Sequence, residues 1–296
     1  MLEIKLILCP VDFSEFSVRA YLYALSLADH YGAKLVAQHV VELARYPYAD
    51  YVASTGDYAE FCQTLHDGAE QRLKEFLKAH SHEATHSQSV VHEGAAPDCI
   101  LSYAEKCKAD LIVIGTHGRR GYDRVVLGSV TNRVMRRTSC PVLAICTPQQ
   151  QLAAGTQEGK QAHQLRRILF CTDFSENSER AFRYAVSAAE EYAAELIVMH
   201  VLEETRNPAR AQAAIATTTE QLDKMIPEDI RKLRRVKTVV RVGKPYQQII
   251  GFAADIQADT IVMGVRGRGA VDLAVFGSTT YRVLQLGPCP VLAVHL

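Results

Sequence analysis

The chain has 296 residues, 48% of them apolar and 22% charged, with 33 basic and 33 acidic side chains in formal balance. That length accommodates two domains of ordinary size, each able to bury its own core. The neutral balance excludes a nucleic-acid binder driven by bulk charge, and no apolar run reaches the length of a membrane span. The N-terminus runs straight into a strand-like segment, without the basic and apolar regions of a secretory leader. Eight cysteines, Cys9, Cys62, Cys99, Cys107, Cys140, Cys146, Cys171 and Cys289, contain no CxxC pair. Most lie in apolar runs, so buried, reduced thiols in a cytoplasmic protein are expected.

Ile4 to Cys9 reads as a buried strand. Ser14 is a good helix cap, and Phe16, Ala20, Tyr23, Ala24, Leu27, Ala28 and Tyr31 give the following helix one apolar face, ended by Gly32. Leu35 to Val40 is a second strand, and residues from about Asp57 to His80 a second helix. Ser87 to His92 is strand three, and Pro97 opens helix three, which runs to Lys108. Leu111 to Ile114 is strand four, helix four starts near Ser129, and Val142 to Cys146 is strand five. After residue 164 the same order returns, with a second helix that Pro227 must break or kink.

The return is visible residue by residue. Asp12-Phe13-Ser14-Glu15 recurs as Asp173-Phe174-Ser175-Glu176, and His39-Val40 as His200-Val201, both 161 residues on. Ala109-Asp110 recurs as Ala258-Asp259, and Cys140-Pro141-Val142-Leu143-Ala144 as Cys289-Pro290-Val291-Leu292-Ala293, both 149 residues on. The drop in offset places a net insertion in the first copy between His39 and Ala109, where the aromatic segment Tyr46 to Tyr51 lies. A long repeat present twice means tandem domains. The expected boundaries are 1–147 and 165–296, joined by a polar, Gln-rich linker at 148–164.

Strands alternating with helices imply two doubly wound α/β domains, each with a parallel sheet covered on both faces. Ligands of such sheets bind at the carboxyl ends of the strands, where strand order reverses. A reversal between strands one and four brings Val11-Asp12 beside Gly115 in the first copy. There the sequence reads Gly115-Thr116-His117-Gly118, nine residues, then Gly128-Ser129-Val130-Thr131; the second copy has Gly264-Val265-Arg266-Gly267, nine residues, then Gly277-Ser278-Thr279-Thr280. Strand, glycine loop and helix N-terminus together form an anion site, because free N–H groups and the helix dipole favour negative charge. Gly115, Gly118, Gly128 and Ser129, with Gly264, Gly267, Gly277 and Ser278, are the expected phosphate cradle, although glycines can also serve only as turns.

Hydroxyls at Thr131, Thr279 and Thr280 are further candidate donors. Arg119, Arg120, Arg124, Arg266 and Arg268 are either phosphate partners or solvated loop residues. Asp12 and Asp173 can accept from a ribose hydroxyl or an adenine amino group, or can serve as helix caps. His39 and His200, inside strand two, read as satisfied buried histidines, the alternative being a catalytic role. His80, His82, His86 and His92 have no fixed-spacing partners that would make a metal site.

An Asp after strand one, His-Val ending strand two and G-x-x-G-x9-G-[ST] after strand four resemble the universal stress protein family, and two copies in one chain resemble its tandem members. The resemblance implies a five-stranded parallel sheet in the order 3-2-1-4-5. In members that keep the glycine motif it also implies bound ATP. Carried over by position, adenine and ribose would meet Pro10, Val11, Asp12, Val40, Ile114 and Gly115, and phosphates Gly118, Gly128, Ser129, Val130 and Thr131. The second copy offers Cys171, Thr172, Asp173, Val201, Met263, Gly264, Gly267, Gly277, Ser278, Thr279 and Thr280. It departs from the first where Pro10-Val11 becomes Cys171-Thr172.

The resemblance also implies pairing through strand five, expected here as an intrachain pseudo-dimer that buries both edges, with a homodimer left open. The function expected is an adenine-nucleotide binding protein of stress response or signalling, holding ATP, ADP or AMP with Mg²⁺ as a candidate companion. Hydrolysis should be slow or absent, since no residue is an obvious base for water. Two alternatives remain. One is a nucleotide-dependent enzyme of the adenine-nucleotide α-hydrolase-like group, whose H-x-G-H or S-G-G-x-D-S patterns the chain lacks. The other is an interaction scaffold that binds no nucleotide.

Overall fold

The structure, a computed structural model, describes residues 3–43, 58–80, 87–116, 127–145, 165–204, 208–232, 235–265 and 277–295. The aromatic insertion, the linker, His82, His86, Gly118, Gly267 and the five loop arginines lie outside the described residues. The described chain forms two compact units, one running from Glu3 to Cys140 and the other from Pro141 to His295.

In the first unit β1 (Leu6–Pro10), β2 (Lys34–Val41), β3 (Ser87–Glu93) and β4 (Leu111–Gly115) are all parallel, in the order β3-β2-β1-β4. Helices α1 (Glu15–Tyr31), α2 (Tyr58–His80), α3 (Ala96–Cys107) and α4 (Ser129–Arg137) fill the crossovers. The expected element ends hold to within about two residues. Ser14 caps α1 by accepting from the Ser17 N–H at 3.3 Å, and Gly32 ends it in the left-handed region at φ 62°. Pro97 lies in the first turn of α3, where its missing N–H costs nothing.

Successive side chains of β2 point to opposite faces. Gln38 reaches Cys99 on α3, whereas His39 stacks on Phe13, which in turn meets Phe76 on α2. Helices therefore cover both faces. The core is dense with fully buried Ile7, Leu8, Leu35, Ile112, Val113 and Leu73.

The second unit contains β5 (Val142–Ile145), β6 (Arg167–Cys171), β7 (Glu195–Leu202), β8 (Val236–Val242), β9 (Thr260–Gly264) and β10 (Val291–Val294). Strands β6 to β10 run parallel in the order β10-β9-β6-β7-β8, which is the expected 5-4-1-2-3 arrangement read from its other edge. β5 joins this unit antiparallel to β10, with Leu143 opposite Leu292. Although β5 closes the first copy in sequence, it is grouped in the second unit.

The helices are α5 (Glu176–Glu191), α6 (Pro208–Met225), α7 (Glu228–Lys232), α8 (Pro245–Asp255) and α9 (Ser278–Leu286). Pro227 separates α6 from α7, as its lost donor requires. Among the described residues no helix is long and apolar enough to cross a membrane. Of the described cysteines, Cys9, Cys171 and Cys289 are buried, whereas Cys62, Cys99, Cys107 and Cys140 are half-buried, so burial is less general than the apolar runs suggest.

Candidate functional site

In both copies strand order reverses beside the first strand, between β1 and β4 and between β6 and β9. The chain leaving β1 makes a tight turn fixed by Asp12, whose Oδ1 accepts from the Ser14 N–H at 3.0 Å and from its hydroxyl at 2.5 Å. Asp173 repeats this with Ser175 at 3.1 and 2.6 Å. Short carboxylate turns of this kind let the chain change direction without unpaired donors. Between Asp and Ser, Phe13 and Phe174 hold positive φ, 63° and 59°. Such backbone costs about 1 kcal/mol or more and persists only where its surroundings impose it. Here the rings are pinned on His39 (4.5 Å between centroids) and His200 (4.7 Å).

Those histidines also hold the preceding residue. The Nδ1–H of His39 donates to the Val11 carbonyl, and that of His200 to the Thr172 carbonyl, both at 2.7 Å. The Val11 and Thr172 N–H groups donate across the sheet to Gln38 O (2.7 Å) and Met199 O (2.9 Å). The expected hydrogen bonds are present, but both histidines are half-buried and not buried, because they lie at the end of the strand. Their work is to fix the backbone one residue before Asp12 and Asp173.

The opposite wall is the step from the fourth strand to the next helix. Gly128 and Gly277 are the N-caps of α4 and α9, and neither helix has a side-chain hydrogen bond at its cap. Their φ values, −53° and −58°, are open to any residue, so a left-handed backbone does not explain these glycines. Gly128 N–H donates to Thr116 O (2.7 Å) and Gly277 N–H to Val265 O (3.2 Å), which lays the helix start against the end of the strand.

The hydroxyls of Thr131 and Thr280, offered by sequence as phosphate donors, give their protons to Gly115 O (2.7 Å) and Gly264 O (3.0 Å). Both threonines are buried and serve as ties between helix and strand. Gly115 and Gly264 are required by close packing. A Cβ at Gly115 would meet Phe16 O at 3.0 Å, and one at Gly264 would meet the Asn177 carbonyl carbon at 2.8 Å.

Cys171 and Thr172 stand where the first copy has Pro10 and Val11. The Thr172 hydroxyl accepts from the Phe174 N–H at 2.9 Å and lies 3.0 Å from the Ser178 hydroxyl. Burial pushes the Cys171 thiol well above its ordinary range, so it is a neutral group at that position. Val40, Val201, Ile114 and Met263 lie in or beside these strand ends, with Ile114 and Met263 buried. The described residues include no group of three or more His, Cys, Asp or Glu side chains placed to hold a metal. His80 donates its Nδ1–H to Phe76 O at 2.8 Å, and His92 meets Gln38.

The sequence leaves the roles of Asp110 and Asp259 unread. Each carboxylate accepts two backbone N–H groups from the start of the first strand of its copy, Lys5 and Leu6 at 2.8 and 2.9 Å, and Arg166 and Arg167 at 2.7 Å each. The recurrence of Ala-Asp was the available signal.

Two doubly wound sheets, each with a carboxylate turn and a glycine-started helix at its strand-order reversal, define a class of protein, the tandem α/β module. The family model of the universal stress protein family matches residues 3–145 and again 164–295. The chain belongs to that family. A universal stress protein of Methanocaldococcus jannaschii is 33% identical over 147 residues, covering 50% of this chain and 85% of its own length. One from Mycolicibacterium smegmatis is 26% identical over 306 residues, covering 98% and 96%. Among solved structures, a universal stress protein from Archaeoglobus fulgidus matches with a TM-score of 0.68 at 22% identity, covering 98% of this chain and 96% of that one. The match spans both copies, so the tandem arrangement belongs to the fold.

Proposed function

We propose that each copy binds an adenine nucleotide, ATP foremost, in the crevice between its first and fourth strands, and that the protein serves stress response or signalling with slow or no hydrolysis. One observation carries this reading. Of the two helices that start at each strand-order reversal, α1 and α5 are capped by Ser14 and Ser175 while α4 and α9 have no side-chain cap; α3 and α8 lack one too, but they follow the third strand, away from the reversal. Uncapped first-turn N–H groups with the helix dipole behind them suit phosphate. Ser129, Val130, Ser278 and Thr279 would present that turn, with Gly118 and Gly267 in the preceding loop. Asp12 and Asp173 would face the sugar, and Pro10, Val11, Val40 and Ile114, or Cys171, Thr172, Val201 and Met263, the base.

Bound nucleotide supplies polyphosphate charge, and any Mg²⁺ would be held chiefly by those phosphates. An enzyme of the α-hydrolase-like group and a scaffold without nucleotide remain the weaker readings. The enzyme would use the same helix starts, but the chain lacks its H-x-G-H and S-G-G-x-D-S patterns; the scaffold leaves both helix starts without a use.

We also propose the domain limits 1–147 and 165–296, a cytoplasmic location, and pairing of the copies through strand five. The antiparallel register of β5 and β10 supports the pairing. Nucleotide released on denaturing the purified protein, with melting measured in added ATP, ADP and AMP, tests the binding. At about 100 times the dissociation constant a ligand should add roughly 2.7 kcal/mol to the unit it occupies. Absence of both released nucleotide and any melting shift would overturn the proposal.

A further inference from the structure

Beneath β2 the first copy buries a polar group that the second lacks. Gln38 is 1% exposed, and its amide nitrogen donates to Cys99 O on α3 at 3.0 Å and meets His92 Nδ1 on β3 at 3.1 Å. A carbonyl only accepts, so the amide nitrogen is fixed toward Cys99 and must also donate to His92. His92 Nδ1 therefore carries a lone pair, and the neutral ring keeps its proton on Nε2. The Gln38 Oε1 is buried with no hydrogen-bond partner among the described residues. At the matching positions the second copy has apolar Met199, 1% exposed, and Arg241, whose guanidinium lies 4.8 Å over Phe252.

We propose that Gln38 and His92 form a proton-operated latch between β2, β3 and α3 that is confined to the first unit. A proton on Nδ1 would face the amide N–H groups, donor against donor. The escape is half a turn of the amide. Oε1 then accepts from the imidazolium, but it also faces Cys99 O, acceptor against acceptor, and the N–H₂ is left in the buried place where Oε1 had no partner, so the tie to Cys99 is broken. The Ser102 hydroxyl still donates to that carbonyl at 3.3 Å, so α3 loses a tie to β2 and not its own end. The latch thus has two discrete states, chosen by one proton.

The charged surroundings agree. Burial lowers the proton affinity of His92 most, and Lys106 on α3 and His66 on α2 both oppose a charge on it as well. Glu93, next on β3, is engaged by His66 at 3.1 Å. Tyr103, 4.9 Å away between rings, and Cys99 are both shifted upward, chiefly by burial, and so stay neutral near pH 7. Glu42, at the end of β2, accepts from the Ala96 N–H at 3.2 Å.

A folded-state value below the ordinary ~6.5 means that the unfolded chain binds the proton first. The latch's contribution is then complete above that ordinary value and is lost as pH falls through it. The test needs no nucleotide, so it stands apart from the function proposed above. Nitrogen NMR of the imidazoles should show His92 as the Nε2–H tautomer, titrating below the ordinary value. Melting of the intact chain between about pH 7.5 and about pH 5.5 should fall further in the natural protein than in His92→Gln, which keeps a polar side chain but cannot titrate. Gln38→Met, which installs the residue that the second copy already folds with, takes away the N–H donated to Nδ1 and should loosen the Nε2–H tautomer preference, while burial keeps the His92 midpoint below ordinary. A Nδ1–H tautomer, an ordinary or raised midpoint, or equal pH slopes in natural protein and His92→Gln would overturn the latch.

Discussion

The two copies build the same corner with different residues, and the difference separates what the corner needs from what it tolerates. The Asp-to-Ser turn, the positive φ at Phe13 and Phe174, the histidine on a carbonyl and the threonine tie to a glycine carbonyl all recur, with paired distances agreeing to within about 0.3 Å. The residues just before the turn do not recur. Val11 is an apolar contact, whereas Thr172 spends its hydroxyl on Phe174 and Ser178. Backbone placement is held fixed while the side-chain chemistry just before the turn diverges.

The largest expected effect comes from the glycines at the strand ends. Gly264→Ala forces a Cβ to 2.8–2.9 Å from three atoms of α5's first turn, whereas Gly115→Ala meets α1 at 3.0–3.1 Å. Gly264→Ala should cost about 2–3 kcal/mol and Gly115→Ala about 1 kcal/mol, read by denaturant unfolding. Equal costs would mean that the two helices are not seated at different depths. Next come Asp110→Ala and Asp259→Ala, each of which orphans two backbone donors. Each should cost about 1–3 kcal/mol in the unit that holds it. If either were neutral, the recurrent Ala-Asp would have no structural explanation. The smallest is Thr172→Val, which leaves the Phe174 N–H without its acceptor. It should cost about 1 kcal/mol in the second unit, and a gain in stability would show that Val11's chemistry is the better one in both copies.

Those aspartates also mark the limit of what the sequence discloses. Helices, strands and the crossing point were legible because their signals are local: an apolar period, a Ser before it, a Gly after it, a Pro inside α3's first turn. The crevice was legible because the glycine motif occurs twice and topology puts it beside Asp12. The partners of Asp110 lie 104 and 105 residues away, and no local rule names them. Thr131 looked like a phosphate donor because its hydroxyl lies in the first turn of the helix at the expected anion site. Only the fold shows its proton spent on Gly115 O, 16 residues back. Gly115 looked like a phosphate glycine for the same reason, and its constraint proves to be the closeness of α1. The Gln38–His92 contact joins two strands across 54 residues, and no local pattern pairs an amide on β2 with a histidine on β3.

Calorimetric titration of ATP into the intact protein, alone and as Gly128→Val and Gly277→Val, tests the central claim most directly. A branched Cβ at either N-cap would stand between the helix N–H groups and a phosphate. The account predicts that each substitution removes binding at its own copy and leaves the other, and that the double variant binds nothing. No heat at about 1 mM ATP, or full binding in the double variant, would contradict it.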